Sequence, residues 1–201
     1  MAYLTVNPIE LMKTILFALA LASSTTLAAT PKDEVTKPLK VVINSVRYGK
    51  DVLALKSFAG EEQGRQMMAD AWAKGTDAQH KEFVALFHQL FGKIAFPKIR
   101  KNFENLDTVL YDEPAVTGDR AEISSTILIN HPMKKQELKV KYQLIKGKGG
   151  WQVIDVSVLG DSMLKGIKEE QIQPLFQEGG WDKVLQAMKD RNGELKDVVL
   201  K

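Results

Sequence analysis

The chain has 201 residues, no cysteine and a formal net charge of +3, from 28 basic and 25 acidic side chains. Without cysteine it can form no disulfide framework and no thiolate metal site, and it offers no cysteine for lipid attachment. So mild a charge balance gives no indication of nucleic-acid binding, and the length suits one domain with a hydrophobic core.

The beginning of the chain has the pattern of a secretory signal peptide. Lys13 precedes an uninterrupted apolar run over 15–22, and small residues lead to Ala28 and Ala29. A basic start, a short apolar centre and small residues before a cleavage site are typical of such peptides. The apolar run is too short to cross a hydrocarbon core about 30 Å thick.

The domain boundaries follow from this pattern. We predict a signal peptide over 1–28, with Met12 as the more natural start, and a single domain over 29–201. The pattern thus predicts export of the mature chain to the periplasm.

Two helices are predicted before the first strong capping signal. The polar segment 30–37, which contains Pro31, is predicted to be a loose start of the mature domain. Apolar residues then recur at steps of three and four, which indicates a short amphipathic helix over 39–46. A second helix is predicted over 61–72, ended by Gly75, with an inner side formed by Met67, Met68, Ala71 and Trp72.

The most strongly predicted helix begins at a capping box formed by Thr76 and Gln79. Its apolar residues form a wide stripe rich in phenylalanine, which comprises Phe83, Leu86, Phe87, Leu90, Phe91 and Ile94. Pro97 is predicted to close or kink this helix.

Alternation with a period of two then predicts four antiparallel strands. They lie at about 108–111, 121–129, 138–144 and 151–159, with a turn over 114–119 between the first two. Gly160 ends the last strand, and Asp161 or Ser162 is predicted to cap a following helix.

Two more helices are predicted in the C-terminal part, separated by Gly179 and Gly180. Helices before and after an antiparallel meander predict an α+β domain with helices packed on one face of a four-stranded sheet.

The end of the predicted sheet carries a distinctive motif. It reads Tyr-x-Leu, Gly-Trp-x-Val-x-Asp-Val, Gly-x-Ser, and its residues are Tyr142, Leu144, Gly150, Trp151, Val153, Asp155, Val156, Gly160 and Ser162. With the phenylalanine helix and the Gly-Gly before the final helix, this motif resembles the MlaC-like toluene-tolerance family. The chain is similar to a divergent member, because Ile167, Lys168 and Gln171 stand where that family usually has a Tyr-Arg pair and a phenylalanine.

The resemblance implies a specific function. Proteins of that family are periplasmic, have an NTF2-like fold and bind phospholipid in the Mla ABC transport system, which maintains the lipid asymmetry of the outer membrane. It therefore implies phospholipid as the ligand, no cofactor, no catalytic activity and no nucleic acid. The implied partners are an inner-membrane Mla-type ABC transporter complex and an outer-membrane lipoprotein complex.

The residues that would line the lipid-tail pocket come from the phenylalanine helix and the last two strands. They are Trp72, Phe83, Phe87, Leu90, Phe91, Ile94, Val140, Tyr142, Leu144, Trp151 and Val153. A pocket wall and a packed core use the same residue types, so composition alone does not separate them. Lysines of the hairpin, Lys139, Lys141, Lys146 and Lys148, are candidates to meet an anionic head group, a partner or only solvent.

Other functions remain open on the sequence alone. An NTF2-like enzyme acting on a hydrophobic small molecule would use Asp155 as base, although a structural carboxylate fits that mid-strand position better. An interaction module with a filled core is a third possibility.

Several residues that could suggest chemistry are better interpreted structurally. His80 and His88 lie about 12 Å apart along a helix, too far to share a metal, and with His131 they are interpreted as surface or capping residues. The sequence Gly160-Asp161-Ser162 resembles the nucleophile motif of GDSL esterases, but no histidine that could act as the base follows it in the chain. Asp161 and Ser162 are therefore interpreted as helix-capping residues.

Overall fold

The computed structural model of the protein describes residues 31–131 and 134–201. The predicted signal peptide and its cleavage site lie outside these residues. The helices of the described part are α1 (Pro31–Arg47), α2 (Asp51–Leu55), α3 (Gly60–Met68), α4 (Asp77–Phe103), α5 (Met163–Ile167) and α6 (Gln173–Glu194). A 3₁₀ turn (Ala69–Lys74) joins α3 to α4, and a π-helical turn (Lys168–Ile172) joins α5 to α6.

The strands are β1 (Leu106–Tyr111), β2 (Ala115–Thr117), β3 (Arg120–His131), β4 (Lys134–Gly147), β5 (Gly150–Val158) and β6 (Asp161–Ser162). They form an antiparallel sheet in the order β1-β3-β4-β5-β6, and β2 pairs with β3 beside β1. The α+β class and the four predicted strands are confirmed. The short strands β2 and β6 raise the number of strands to six within the described residues, because both segments predicted as turns or caps also pair briefly with a neighbour.

The first helix differs from the prediction. Segment 31–37, predicted to be loose, forms the first two turns of α1. Pro31 stands at the start, where its missing N–H costs nothing, and Asp33 and Glu34 lie in the first turn, where acidic side chains favour the helix dipole. Val35 is fully buried, so burial against the rest of the domain stabilises a segment whose composition alone reads as polar.

Helix α4 is longer than predicted. The Thr76–Gln79 capping box is confirmed, with the Gln79 backbone N–H 3.2 Å from Thr76 Oγ1 and the Thr76 N–H 2.9 Å from Gln79 Oε1. The helix does not close at Pro97 but continues to Phe103. Phe96 and Phe103 are both buried, and this burial outweighs the loss of one backbone hydrogen bond at the proline.

Strand β5 contains one extra residue relative to β4. Gln143 faces Asp155, whereas Leu144 faces Val153, so Ile154 has no partner of its own. Such a bulge changes the alternation of faces. For this reason three consecutive residues are buried: Val153, Ile154 and Asp155. Val153 packs in one apolar cluster and Ile154 in the other, so β5 contributes buried side chains from both of its faces.

The apolar interior is divided into two clusters. The first cluster lies between the inner face of the sheet and helices α1, α2 and the C-terminal half of α4. The second cluster lies among α3, the N-terminal half of α4, α5 and α6. Phe91 of α4 packs against both clusters and joins them.

Lys139, Lys141 and Gln143 are exposed on the outer face of the sheet. The predicted break in the last helix is confirmed, since Gly179 and Gly180 have non-helical backbone angles inside α6. No helix in the described part of the chain combines the length and hydrophobicity needed to cross a membrane.

Candidate functional site

The eleven predicted pocket residues do not all lie around one space. Those from the strands belong to the first cluster: Val140, Tyr142, Leu144, Trp151 and Val153. Those from the helical part lie mainly in the second cluster, which includes Trp72, Phe83 and Phe87, with Leu90 packed against it. Phe91 touches both, and Ile94 is 39% exposed and belongs to neither.

The first cluster has the layered build of a site that could enclose an apolar ligand. One wall is the inner face of the sheet, where Leu144 and Val153 are at most 1% exposed. The opposite wall is α1, which buries Val35, Leu39, Ile43 and Val46, together with Phe96 and Phe103 of α4. Both walls are apolar along most of their length.

A few polar atoms interrupt this apolar space. The Ser125 and Tyr142 hydroxyls lie 3.1 Å apart, and either one can donate. The Tyr111 hydroxyl is buried and has no hydrogen-bond partner among the described residues. Burial raises the pKa of Tyr111, with a further contribution from nearby Tyr142, and burial also raises the pKa of Tyr142, so both hydroxyls keep their protons.

Helix α1 is attached to the rest of the domain at its first turn by two surface ion pairs. Lys32 Nζ lies 2.9 Å from Glu113 Oε1 in the β1–β2 connection, and Lys146 Nζ of β4 lies 3.2 Å from Glu34 Oε2. Exposed ion pairs contribute at most about 1 kcal/mol each. The wall formed by α1 is therefore held mainly by its apolar face.

The second cluster is packed more specifically. The His80 ring stacks on Trp72 with centroids 4.0 Å apart, and His80 Nε2 lies 2.8 Å from the Trp72 carbonyl oxygen. Trp181 donates from Nε1 to the Ala71 carbonyl oxygen at 3.1 Å. These ring contacts and satisfied polar atoms indicate a structural core.

A buried polar chain links α3 and α4 to the bulge of β5. Gln63 is fully buried and donates from Nε2 to the Ile154 carbonyl oxygen at 2.8 Å. Its Oε1 lies 3.0 Å from His88 Nε2. Burial lowers the pKa of His88, so the neutral ring donates to Gln63.

The interpretation of the histidines as surface or capping residues needs correction. His80 and His88 are not surface residues but half-buried hydrogen-bonding partners in the core. The side chain of His131 lies outside the described residues. No group of metal-ligating side chains suited to an ion occurs among the residues that the structure describes.

Asp155 holds the start of α5. Its Oδ1 accepts from the Leu164 backbone N–H at 3.0 Å, and its Oδ2 accepts from the Ser162 hydroxyl at 2.5 Å. Ser162 in turn accepts from the Lys165 N–H at 3.0 Å and caps α5, which confirms the predicted cap. Because Asp155 faces α5 and not the first cluster, its geometry supports a structural role.

Two cavities lie away from most of the predicted residues. A cleft of about 1350 Å³ separates α1 and α2 from the β4–β5 turn, and Trp151 is the predicted pocket residue that it includes. Lys146 and Lys148 line this cleft, whereas Lys141 pairs with Glu122 across the exposed outer face at 2.9 Å. A smaller cavity of about 210 Å³ lies between the end of α3 and the start of α6, with Met67, Met68, Ile172 and Phe176 in its wall.

The sequence did not predict the opposite wall of the first cluster, formed by α1 with Phe96 and Phe103, or two polar residues of this cluster, Ser125 and Tyr111. Both residues lie in predicted strands, at 108–111 and 121–129, but the sequence assigns neither of them to the site. Alternation with Ile123 and Ile127 does put Ser125 inside, whereas the burial of the Tyr111 hydroxyl depends on how β1 pairs with β3.

Comparisons with known proteins agree with this architecture. The family described as MlaC protein matches residues 50–190. The fold is similar to that of the phospholipid-binding protein from Ralstonia solanacearum, determined in complex with a phospholipid, with a TM-score of 0.66 and 18% sequence identity. That match covers 81% of this chain and 97% of the other. No curated protein matches the sequence at a significant level.

Proposed function

Because the chain belongs to the MlaC family, we propose that it is a phospholipid carrier that encloses acyl tails between the inner face of its sheet and helix α1. The observation that carries this proposal is the first cluster, where two apolar layers from separate elements face each other. The similar fold of a protein determined with bound phospholipid supports it.

The first cluster suits the tails better than the second. The opposite wall, α1, carries two exposed ion pairs at its first turn and packs on the sheet through apolar side chains, whose contacts lipid tails can replace. The second cluster would have to break stacked rings and buried hydrogen bonds to make room. We therefore assign the strand residues Val140, Tyr142, Leu144, Trp151 and Val153 to the tail-binding wall, with Phe91 at its helical side.

The energetics of lipid tails require almost complete enclosure. A diacyl phospholipid has about 30 chain CH₂ groups, each worth ~0.8 kcal/mol when removed from water. Exposing half of them would cost on the order of 12 kcal/mol, which no weak carrier interaction offsets. A site that encloses both tails needs a volume near 1,000 Å³.

Such a space would not remain open without its ligand. At ~24 cal/mol per Å³, an empty cavity of that size would cost roughly 24 kcal/mol, more than the ~5–15 kcal/mol stability of a typical domain. The side chains of the first cluster are at most 9% exposed and pack on one another. Binding would then replace contacts between α1 and the sheet by contacts with lipid.

The site of action follows from the sequence pattern and the family. We propose that the mature protein is exported to the periplasm after cleavage near Ala28 or Ala29, and that it passes phospholipid between an inner-membrane ABC transporter complex and an outer-membrane lipoprotein complex. Intact mass of the protein recovered from a periplasmic fraction tests the first part. A full-length chain retained in the membrane would contradict it.

Phospholipid occupancy tests the central proposal. Organic extraction of the purified protein followed by mass spectrometry should give about one phospholipid per chain. Val140→Phe, which fills space in the first cluster, should lower that occupancy. Val184→Phe is the matched control, because Val184 is equally buried but lies in the second cluster.

Both variants should lose about 1–3 kcal/mol of stability from overpacking, so only occupancy distinguishes them. Equal loss of lipid in both would contradict the assignment to the first cluster. A lipid-free wild-type protein that cannot be loaded from phospholipid vesicles would favour the interaction module with a filled core.

A further inference from the structure

Three hydroxyl side chains form a row across the inner face of the sheet. Tyr111 of β1 faces Ser125 of β3 in register, and paired residues in antiparallel strands project to the same face. Ser125 is 2% exposed, so this shared face is the inner one. On the other side, the Ser125 hydroxyl reaches Tyr142 of β4 at 3.1 Å. We call Tyr111, Ser125 and Tyr142 the hydroxyl row.

Tyr111 places one end of the hydroxyl row at the margin of the first cluster, because β1 is an edge strand of the sheet. Tyr111 is the last residue of β1, and Asp112 and Glu113, which follow it, are exposed. Glu113 pairs with Lys32 in the first turn of α1, so this margin lies beneath the start of that helix. Along β3, the inner-facing neighbours of Ser125 are buried on both sides: Ala121 and Ile123 towards the start of the strand, and Ile127 and Ile129 towards its end.

One of the three hydroxyls in the row lacks a hydrogen-bond partner among the described residues. Ser125 and Tyr142 satisfy each other, but the buried Tyr111 hydroxyl has no partner among the described residues. A buried hydroxyl without a partner is costly, and an apolar phenylalanine would fill the same position without that cost. A donor in this position therefore calls for an acceptor that the described residues do not supply.

We propose that the Tyr111 hydroxyl donates a hydrogen bond to an ester carbonyl oxygen of the bound diacyl lipid. This inference rests on the proposed function and adds to it the recognition of the ester linkage. The ester oxygens are the polar atoms closest to the tails, and they accept hydrogen bonds but cannot donate. A donor at the margin of an apolar cluster suits them, because it leaves the tails among the isoleucines and the head group towards solvent.

The protonation state of the row agrees with this role. Burial raises the pKa of Tyr111, so the hydroxyl stays neutral and remains a donor at physiological pH. A neutral donor would contribute little to binding an anionic phosphate, for which cationic side chains are better suited. The interaction therefore selects for the linkage between head group and tails, whatever the head group.

Competition between two lipids tests the proposal. Delipidated protein is equilibrated with vesicles of equal parts diester and diether phosphatidylglycerol with identical hydrocarbon chains, re-isolated and extracted. A diether lipid lacks the carbonyl oxygens, so wild type should retain the diester form with about tenfold preference, the ratio expected for one hydrogen bond of ordinary strength. Tyr111→Phe should bind both forms about equally.

Tyr48→Phe is the control for the loss of a tyrosine hydroxyl. Tyr48 is 68% exposed and lies outside the first cluster, so this substitution should change neither the melting temperature nor the diester preference. Tyr111→Phe should leave the lipid-free melting temperature unchanged or higher and reduce only the increase that diester lipid produces.

Each alternative result is decisive. Equal retention of the two lipids by wild type, or a diester preference that survives in Tyr111→Phe, would overturn the inference and leave the proposed function intact. Equal destabilisation of lipid-free and loaded Tyr111→Phe would show that the hydroxyl is satisfied without lipid and would also overturn it. Binding of neither lipid by wild type would refute the proposed function and this inference with it.

Discussion

Buried polar side chains in this protein mostly connect elements that are distant in the sequence. Gln63 of α3 bonds to the bulge of β5, and Asp155 of β5 holds the start of α5. Each has a partner for both of its polar atoms, as expected for groups whose burial without hydrogen bonds would be costly. Stability, rather than ligand chemistry, is the role their geometry supports.

For Asp155 this role gives a direct prediction. Asp155→Asn should lower the free energy of unfolding by about 1–3 kcal/mol, because it removes a charge-assisted bond to Ser162. Ser162→Ala should cost about 1 kcal/mol through loss of the helix cap, and the double variant should cost less than the sum, since both changes disrupt the same network. Denaturant unfolding of the three variants measures this.

The same Asp155 variant separates carrier from enzyme. Phospholipid occupancy per folded molecule should be unchanged in Asp155→Asn. Turnover of a hydrophobic substrate by wild type, lost in a stably folded Asp155→Asn protein, would instead support the enzymatic alternative.

His88 predicts a dependence of stability on pH. Burial lowers its pKa in the folded protein below the ordinary value near 6.5, so the unfolded chain binds a proton more readily. Stability is then fully present above pH 6.5 and falls as the pH drops through 6.5 towards the folded pKa. The free energy of unfolding should decrease between pH 7.5 and 5.5.

His88→Gln should remove this contribution while keeping a donor near Gln63. Unfolding midpoints in guanidinium chloride, measured across this pH range, should depend on pH less steeply in the variant than in wild type. If the unfolding midpoints of variant and wild type changed equally with pH, the pKa of His88 would be the same in the folded and unfolded states.

At the scale of elements, close approach decides where glycine is required. Gly64 of α3 packs against the indole of Trp72, and a Cβ at that position would lie 2.5 Å from Trp72 Cη2. Gly166 of α5 has no neighbouring atom within 4 Å of such a Cβ. Both glycines lie in helices, where alanine is intrinsically preferred.

This contrast predicts opposite signs for the same substitution. Gly64→Ala should destabilise the protein by about 1–3 kcal/mol, because the steric conflict with Trp72 outweighs the gain in helix propensity. Gly166→Ala should be neutral or stabilising by up to about 1 kcal/mol. Thermal or denaturant unfolding measures both; a stabilising Gly64→Ala would mean that Trp72 can move aside.

At the scale of the whole molecule, the two apolar clusters are in contact through helix α4. Phe91 is placed to couple them, since its ring lies 5.4 Å from that of Phe58 in the first cluster and 6.1 Å from that of Phe87 in the second. Helix α4 runs through both clusters and carries Phe91 near its middle.

Removal of the Phe91 ring should reduce the cooperativity of unfolding between the two clusters more than it reduces the stability of either cluster. Phe91→Ala should lose about 3 kcal/mol and show a lower dependence of stability on denaturant, or separate transitions by tryptophan fluorescence and circular dichroism. Phe83→Ala, buried in the second cluster only, should lose about 3–5 kcal/mol with a single coincident transition. A single sharp transition in Phe91→Ala would show that the clusters are coupled by other contacts.

Local patterns in the sequence determined much of this protein. The Thr76–Gln79 box set the start of α4, and the alternation in 138–144 set a strand whose faces are as predicted, because capping and two-residue periodicity depend on neighbours in the chain. The motif around Trp151 indicated the family, and membership of the family is the basis for proposing phospholipid as the ligand.

The tertiary structure decided what depends on distant contacts. Segment 31–37 became helix, and α4 passed Pro97, because burial against the sheet outweighed local preference. The bulge at Ile154 and the division of the aromatic residues between two clusters are likewise invisible in periodicity, since both arise from the packing of helices on strands. The Tyr111 hydroxyl, which has no partner within 31–131 and 134–201, becomes buried only when β1 pairs with β3, because alternation in the sequence places side chains on faces but does not say which atoms meet there.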